Sequence, residues 1–160
     1  NFEELFSSLE VTSNSISHYL LRNIAVNQQS NTEIDLLHDD LTLEHIMPEE
    51  WEEHWNTENI FLKKYDDKGD LKRYKLDSKI HSEYINRLGN HTLLLLAPNI
   101  EISNKPFDTK LITYSEQVLK ITNDSNDHAA NHYSCWDAAS IEARQKSLSK
   151  ISKQIWGIIG

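Results

Sequence analysis

The stretch LTLEHIMP, residues 41–48, places a carboxylate and an imidazole side by side at the end of an apolar segment. Its leucines alternate with polar residues, a pattern typical of a β-strand. Pro48 has no N–H group for a strand ladder, so it ends the strand and begins a loop. Glu44 and His45 therefore stand where a strand becomes a loop, a position at which proteins often place functional side chains.

The composition is that of an ordinary globular protein. The chain has 160 residues, enough for one domain with a buried core, and 38% of them are hydrophobic. No apolar run approaches the ~18 residues of a membrane helix, and the start NFEELFSSLE lacks the features of a signal peptide. The single Cys135 excludes an internal disulfide and favours a cytoplasmic setting. Because the first residue is Asn rather than Met, we expect a fragment of a longer protein.

The charge is unevenly distributed along the chain. A net charge of −9 argues against nucleic-acid binding at first sight. Residues 33–58, however, carry acids and no Lys or Arg, whereas residues 63–87 are predominantly basic. Local fields decide binding, so this basic segment can face phosphate. A solvated loop and helix explain the same segment equally well, and both interpretations stay open.

Hydrophobic spacing predicts helices at both ends of the chain. Residues 1–40 hold two helices, the second running to about Val26. Ser134 and Asp137 have the spacing of a capping box, which predicts the start of a last helix within residues 119–160. The apolar stripes are Phe2, Leu5, Phe6 and Leu9 in the first helix, Ile16, Tyr19, Leu20 and Ile24 in the second, and Ala138, Ile141, Leu148, Ile151 and Ile155 in the last.

The middle of the chain predicts a second strand and a further helix. HTLLLLAP, residues 91–98, reads as a buried strand that ends at its proline. Ser103 or Asn104 caps the next helix, with Pro106 in its first turn. The buried face of this helix would comprise Phe107, Leu111, Tyr114 and Val118.

Residues 49–82 form a charged insertion between the two strands. We predict that it is partly helical around DDKGD, with a turn at Gly69. Trp51 and Trp55, four residues apart, are expected to pack in the core. The fold class is therefore mainly α with a small β element.

Three short pieces carry residues suited to phosphodiester hydrolysis: EHIMP (44–48), RLGNHTLLL (87–95) and APNIEISNKPF (97–107). The pKa of histidine suits a base that deprotonates water near neutral pH, so His45 is the predicted base. Carboxylate and amide oxygens are the ligands that Mg²⁺ or Mn²⁺ prefers, and Glu44 and Asn99 supply them. Asn90 is predicted to link the following loop to the His45 backbone and so orient the imidazole. This layout is typical of a ββα-metal (HNH) nuclease finger embedded in a helical domain.

These pieces resemble the C-terminal HNH (His-Me finger) nuclease domain of GmrSD-type restriction endonucleases and of related DNA-defence proteins that sense phosphorothioate-modified DNA. The match comprises EHI-x-P, LGN-x-TLL and an N-x4-N-K-x-F-x2-K pattern from Asn99 to Lys110. The resemblance covers nearly the whole chain and implies one HNH nuclease domain over 1–160, with its core at 41–118. It implies an endonuclease that cuts double-stranded DNA, including modified phage DNA, in bacterial defence. It also implies an N-terminal sensor domain that hydrolyses nucleotides.

Several assignments within this hypothesis stay open. Asn104 is an alternative to Asn99 as the metal ligand. Cations and amides near the site are candidate phosphate contacts or plain surface groups; they are Asn104, Lys105, Lys110, Lys64 and Arg73.

Two other classes of function compete with the nuclease. The same fold could bind DNA or a protein without cutting. Alternatively, His128, His132 and Cys135, with Asp127 as an imperfect fourth ligand, have a spacing that could bind zinc and stabilise a helical interaction domain. Three ligands without a second Cys or His nearby are weak evidence for zinc.

Overall fold

The computed structural model of the protein describes residues 1–29, 40–55, 61–123 and 136–157. Helices predominate, and two separate antiparallel strand pairs make up the β structure, so the predicted class of mainly α with a small β element is confirmed. The elements in chain order are α1 (Phe2–Ser7), α2 (Asn14–Gln28), β1 (Leu41–His45), α3 (Glu52–Trp55), β2 (Phe61–Tyr65), β3 (Leu71–Lys75), α4 (Ser78–Tyr84), a 3-10 turn (Leu88–Asn90), β4 (His91–Leu95), α5 (Leu96–Ile102), α6 (Phe107–Ser115) and α7 (Ala138–Trp156).

Strands β1 and β4 form the centre of the molecule. They pair antiparallel from Leu41 opposite Leu95 to His45 opposite His91. Leu93 and its neighbour Leu94 are both fully buried, but they belong to different core clusters. Successive side chains of a strand point to opposite faces, so β4 is a wall between two cores, which explains its unbroken apolar run.

Each core cluster joins this wall to different helices. The cluster on the Leu94 side includes three tryptophans, and the expected burial of Trp51 and Trp55 is confirmed. The cluster on the Leu93 side joins α1, α2 and α7; its members are Phe6, Val11, Leu21, Ile24, Ala25, Leu41, Leu88, Leu93, Leu119, Ile121 and Leu148.

The second strand is shorter than the sequence predicts. Pairing ends at Leu95, and helix α5 begins at once, so the prediction that Pro98 ends the strand is wrong. Proline is tolerated in the first turn of a helix, where N–H groups have no intrahelical acceptor. Asn99 consequently lies on a helix that contacts both strands and not in a loop.

The insertion forms a β-hairpin, and the prediction of helix around DDKGD is wrong. Strands β2 and β3 pair from Phe61 opposite Lys75 to Tyr65 opposite Leu71. The Asp66 carboxylate accepts the backbone N–H groups of Lys68 and Asp70, each at 2.9 Å, which closes a turn in place of a helix. The predicted turn at Gly69 is confirmed, and its φ of +82° is the left-handed conformation that favours glycine.

Helix α2 buries only part of its predicted face, since Ile24 is buried and Leu20 partly buried as predicted. Ile16 and Tyr19 are 53% and 59% exposed, although the sequence pattern places them in the core. The buried side consists of Ser17, Leu21, Ile24 and Ala25. The apolar pattern therefore gives the helix but not its orientation, because a small polar residue replaces a large apolar one on the inner face.

The cap of α6 also differs from prediction. Pro106 is itself the N-cap of α6, so neither Ser103 nor Asn104 caps this helix. Asp137 is the N-cap of α7 and accepts the Ser140 N–H at 2.9 Å; Ser134, its predicted capping-box partner, lies outside the described residues. Val118, predicted on the buried face of α6, lies beyond the helix and is exposed.

The predicted stripe of α7 is confirmed. Ala138, Ile141 and Leu148 are buried, and Ile151 and Ile155 pack partly buried against the core. Among the described residues, no helix is both long enough and apolar enough to cross a membrane.

Candidate functional site

A cavity of about 440 Å³ opens between the end of β1 and helix α5. It brings together four residues that the sequence selects, namely Glu44, His45, Asn99 and Asn104. Its complete lining is Thr42, Leu43, Glu44, His45, Pro48, Glu49, Glu50, Leu96, Asn99, Ile100, Ser103 and Asn104.

The imidazole of His45 lies at the wall of this cavity and is only 11% exposed. Within the described part of the chain, its Nε2 is buried and has no hydrogen-bond partner. The nearest carboxylate oxygen is Glu49 Oε1, at 3.8 Å from Nε2. Burial lowers the pKa of His45, and the charge of Glu49 opposes that shift. The ring is therefore neutral at pH 7, which is the form that can accept a proton.

The Glu44 carboxylate is buried and bound from behind by helix α6. Its Oε1 accepts Lys110 Nζ at 2.6 Å and the Tyr114 hydroxyl at 2.7 Å. Burial raises the pKa of Glu44, and the Lys110 charge and hydrogen bond act in the opposite direction. Burial likewise lowers the pKa of Lys110, which Glu44 opposes. One carboxylate oxygen is thus committed to α6.

Lys110 occupies a place that the sequence analysis did not foresee. Its side chain is completely buried and also donates to the His45 carbonyl at 2.9 Å. It therefore presents no cation to a surface phosphate, and that prediction is wrong. Helical spacing held the signal, because Lys110 lies three residues after Phe107 and four before Tyr114, both of which face the core.

Asn99 presents an oxygen at the cavity. Its Nδ2 donates to Thr42 Oγ1 at 2.8 Å and to the Leu43 carbonyl at 3.0 Å. Both amide protons are used, and among the described residues no donor reaches Oδ1. This oxygen and the second oxygen of Glu44 suit a hard divalent cation whose remaining ligands are water and phosphate. No cluster of three or more His, Cys, Asp and Glu side chains with metal-binding geometry occurs in the described ranges.

Asn90 is fully buried and holds the chain immediately after His45. Its carbonyl accepts the Ile46 N–H at 2.9 Å, and its Oδ1 accepts the Met47 N–H at 2.8 Å. The same Oδ1 accepts Trp136 Nε1 at 3.0 Å, while Nδ2 donates to the Met47 carbonyl at 2.9 Å. These bonds fix the start of the loop, whereas the imidazole itself receives no bond from Asn90.

His91 contacts the His45 ring directly, and the sequence analysis assigned it no role. The two rings meet edge to face with centroids 4.4 Å apart. His91 is fully buried, and burial lowers its pKa to about 3, so it is neutral. The available signal was its position, since His91 follows Asn90 and opens the strand that pairs with β1.

Helix α7 supports this region, and none of its residues lines the cavity. Arg144 donates to the Gly89 carbonyl at 2.8 Å, to the His91 carbonyl at 2.6 Å and to the Ile121 carbonyl at 2.8 Å. The helix approaches so closely that a Cβ on Gly89 would lie 2.2 Å from the Ile141 carbonyl oxygen. Glycine is required here by space and not by φ.

The remaining candidate phosphate contacts lie apart from one another. Asn104 lines the cavity, and its Nδ2 lies 3.5 Å from Glu50 Oε2. Lys105 is exposed in the segment after α5. Lys64 on β2 is 2.5 Å from Glu83, so an acid already neutralises it. Arg73 lies exposed on β3.

The rival zinc ligands, His128, His132 and Cys135 with Asp127, lie outside the described residues.

Comparison with known proteins gives one match. The model of the family described as GmrSD restriction endonucleases, C-terminal domain, matches residues 1–151. No curated protein and no solved structure matches this chain. Because the match covers nearly all of the sequence, the chain belongs to the family of GmrSD restriction endonuclease C-terminal domains.

Proposed function

We propose that this chain is an HNH-type DNA endonuclease domain that uses Mg²⁺ or Mn²⁺ and cuts at the cavity between β1 and α5. The observation that carries the proposal is the meeting of Glu44, His45 and the donor-free oxygen of Asn99 around one cavity. Membership in a restriction endonuclease family supports DNA as the substrate. The ββα-metal finger would comprise β1, β4 and α5.

His45 acts as the general base. It accepts a proton from water, whose oxygen forms a bond to phosphorus while the bond to a sugar oxygen breaks. That oxygen leaves and takes up a proton from solvent. The buried, neutral imidazole at the cavity wall suits this step.

Glu44 and Asn99 would hold the divalent ion. When bound, the ion offsets negative charge on the scissile phosphate and on the leaving oxygen. Lys110 and Tyr114 hold one Glu44 oxygen, and the other oxygen would bind the ion. Asn90 keeps the loop after His45 in place.

Double-stranded DNA, including modified phage DNA, is the proposed substrate. Arg73 and Lys75 on the exposed strand β3 would contact its phosphates. Lys64 and Lys72 are each paired with a carboxylate, and Lys110 is buried. Glu49 and Glu50 at the cavity repel a phosphate backbone. The domain would therefore depend on a sensor domain, coupled to nucleotide hydrolysis, that delivers the DNA and raises its effective concentration.

Metal removal tests the ligand assignment. Plasmid cleavage should stop in EDTA and return with Mg²⁺ or Mn²⁺. Asn99→Ala should need a much higher Mn²⁺ concentration, and Asn104→Ala is the matched control from the same cavity. If Asn104→Ala is inactive and Asn99→Ala cuts normally, Asn104 is the ligand; activity in excess chelator contradicts metal dependence.

A binding module that does not cut is the second candidate. The pairing of Glu44 with Lys110 favours it, because a carboxylate already neutralised by an ammonium group attracts a metal ion less strongly. The two functions differ in one result. The binding module would retain DNA without converting plasmid at any metal concentration.

A further inference from the structure

We propose that His91 is a positioning residue that holds the His45 imidazole in its working orientation. This inference rests on the proposed function, in which His45 is the general base. His91 touches neither the cavity nor its metal-binding oxygens among the described contacts. It would act through the ring of His45 alone.

The His91 ring is fixed at both nitrogens. Nε2 lies 2.9 Å from the Ile85 carbonyl, which can only accept, so Nε2 carries the proton and donates. Nδ1 is then an acceptor and receives the Ser17 hydroxyl at 3.0 Å. Both partners belong to rigid surroundings, since Ser17 is buried on α2 and Ile85 directly follows α4. A side chain held at both nitrogens in a closed core has one orientation.

The His45 ring, by contrast, lacks such restraints. In the described part of the chain its buried Nε2 has no hydrogen-bond partner, and Glu49 Oε1 lies 3.8 Å from that nitrogen, beyond hydrogen-bond distance. The ring of His91 meets it edge to face at 73°, with centroids 4.4 Å apart. Such packing is a favoured aromatic arrangement. His91 is therefore the contact that sets the direction of the His45 ring.

Position matters to a base because proton transfer requires close alignment with the attacking water. A displacement of about 1 Å in a catalytic group can cost about 100-fold in rate. The loss should appear in kcat and not in KM, since His91 is remote from the bound DNA.

Two substitutions separate the ring contact from the hydrogen bonds. Gln in His91→Gln can donate to Ile85 and accept from Ser17, but it has no ring. Phe in His91→Phe restores the ring and makes neither bond. His18→Gln is the matched control, since His18 lies on α2 and binds the Leu41 carbonyl at 2.8 Å without touching His45.

The experiment measures plasmid cleavage and the Cε1–Hε1 NMR signal of His45, assigned with His45→Gln. We expect His91→Gln to melt near the wild type, to lose about 10- to 100-fold in kcat with KM unchanged, and to shift and broaden the His45 signal. His91→Phe should recover part of the rate despite lower stability, and His18→Gln should change nothing.

Wild-type kcat and an unmoved His45 signal in folded His91→Gln would overturn the proposal and leave His91 a core residue. The NMR signal also separates this inference from the proposed function. If the wild-type domain cuts no DNA but the His45 signal moves in His91→Gln, the positioning holds and the nuclease assignment fails.

Discussion

The described residues form two antiparallel strand pairs of the same length with opposite surroundings. Pair β1–β4 lies between two core clusters, and the candidate site stands at its end. Pair β2–β3 is a hairpin that leaves even Tyr65 and Leu71 more than 40% exposed. Equal pairing therefore says little about role. The two strand pairs differ in how deeply their polar side chains are buried.

Each strand pair supplies one residue of a lysine–glutamate ion pair, and the two ion pairs differ in their effect on stability. Lys110–Glu44 is buried behind β1, with Tyr114 satisfying the carboxylate further. Lys64–Glu83 joins the hairpin to α4 near the surface. A buried pair whose partner is removed leaves an uncompensated charge, whereas an exposed pair exchanges its partner for water.

The largest expected difference follows from removing one lysine in each setting. Lys110→Met should lower the free energy of unfolding by about 3–5 kcal/mol, since Glu44 is left buried and unpaired. Lys64→Met should lower it by about 0–1 kcal/mol. Urea unfolding measures both. Losses of equal size would show that the Lys110–Glu44 ion pair is no more desolvated than the Lys64–Glu83 ion pair.

Adding one methyl group to a glycine in each region gives the next contrast. Gly89→Ala would place Cβ 2.2 Å from the Ile141 carbonyl, so we expect a loss of about 3 kcal/mol, at the upper end of overpacking costs. Gly69→Ala meets no atom within 4 Å, and only its positive φ costs energy, about 1–2 kcal/mol. Plasmid cleavage should fall in the first variant and persist in the second. A well-folded, active Gly89→Ala would contradict the close approach of α7.

Acid should destabilise the fold through His91, which lies on strand β4. The pKa of His91 is 6.5 in the unfolded chain and about 3 in the folded protein. Below pH 6.5 the unfolded state therefore binds a proton that the folded state does not bind. Stability is therefore lost as pH falls through this window. Between pH 7 and 5 the loss from His91 is about 2 kcal/mol. His91→Gln should remove that part of the urea-unfolding difference. An unchanged pH dependence would show that His91 is not buried as a neutral ring.

Hairpin charges should affect DNA binding more than stability. Reversing the charges of Arg73 and Lys75 together should weaken duplex binding. The slope of log affinity against log salt concentration should fall in magnitude by up to about 2 units, near one per lost phosphate contact. Reversing Lys146 and Lys150 on the exposed face of α7 is the control. Equal effects of the two double variants would remove the hairpin from the DNA surface.

The same contrast explains what the sequence could predict. β1 was predicted at Leu41–His45, its observed range, because the alternating leucines indicate a strand and Pro48 prevents it from continuing. The hairpin was not, because FLKKY and LKRYK have no clear alternation and set like charges opposite each other, Lys63 to Arg73 and Lys64 to Lys72. Its turn was predicted from Gly69, but the Asp66 side chain that closes the turn was not.

Short motifs predicted which residues lie together at the cavity, but they missed two of its buried neighbours. Short motifs selected Glu44, His45, Asn99 and Asn104, which the structure brings to one cavity. They selected Lys110 as a candidate phosphate contact and not as the buried partner of Glu44, because a lysine on an amphipathic helix is ordinarily a surface group. His91 was missed because its role depends on its cross-strand partner His45, which lies 46 positions earlier in the sequence. No local sequence pattern records such a contact.

The most direct test of the central claim, that β1–β4 ends in a hydrolytic site with His45 as its base, is the cleavage of supercoiled plasmid in Mg²⁺ by the wild type and His45→Ala. We predict that the wild type produces nicked or linear DNA. We expect His45→Ala, with a nearly unchanged melting temperature, to be slower by about 10²–10⁴-fold. Cleavage by folded His45→Ala at the wild-type rate would contradict the account.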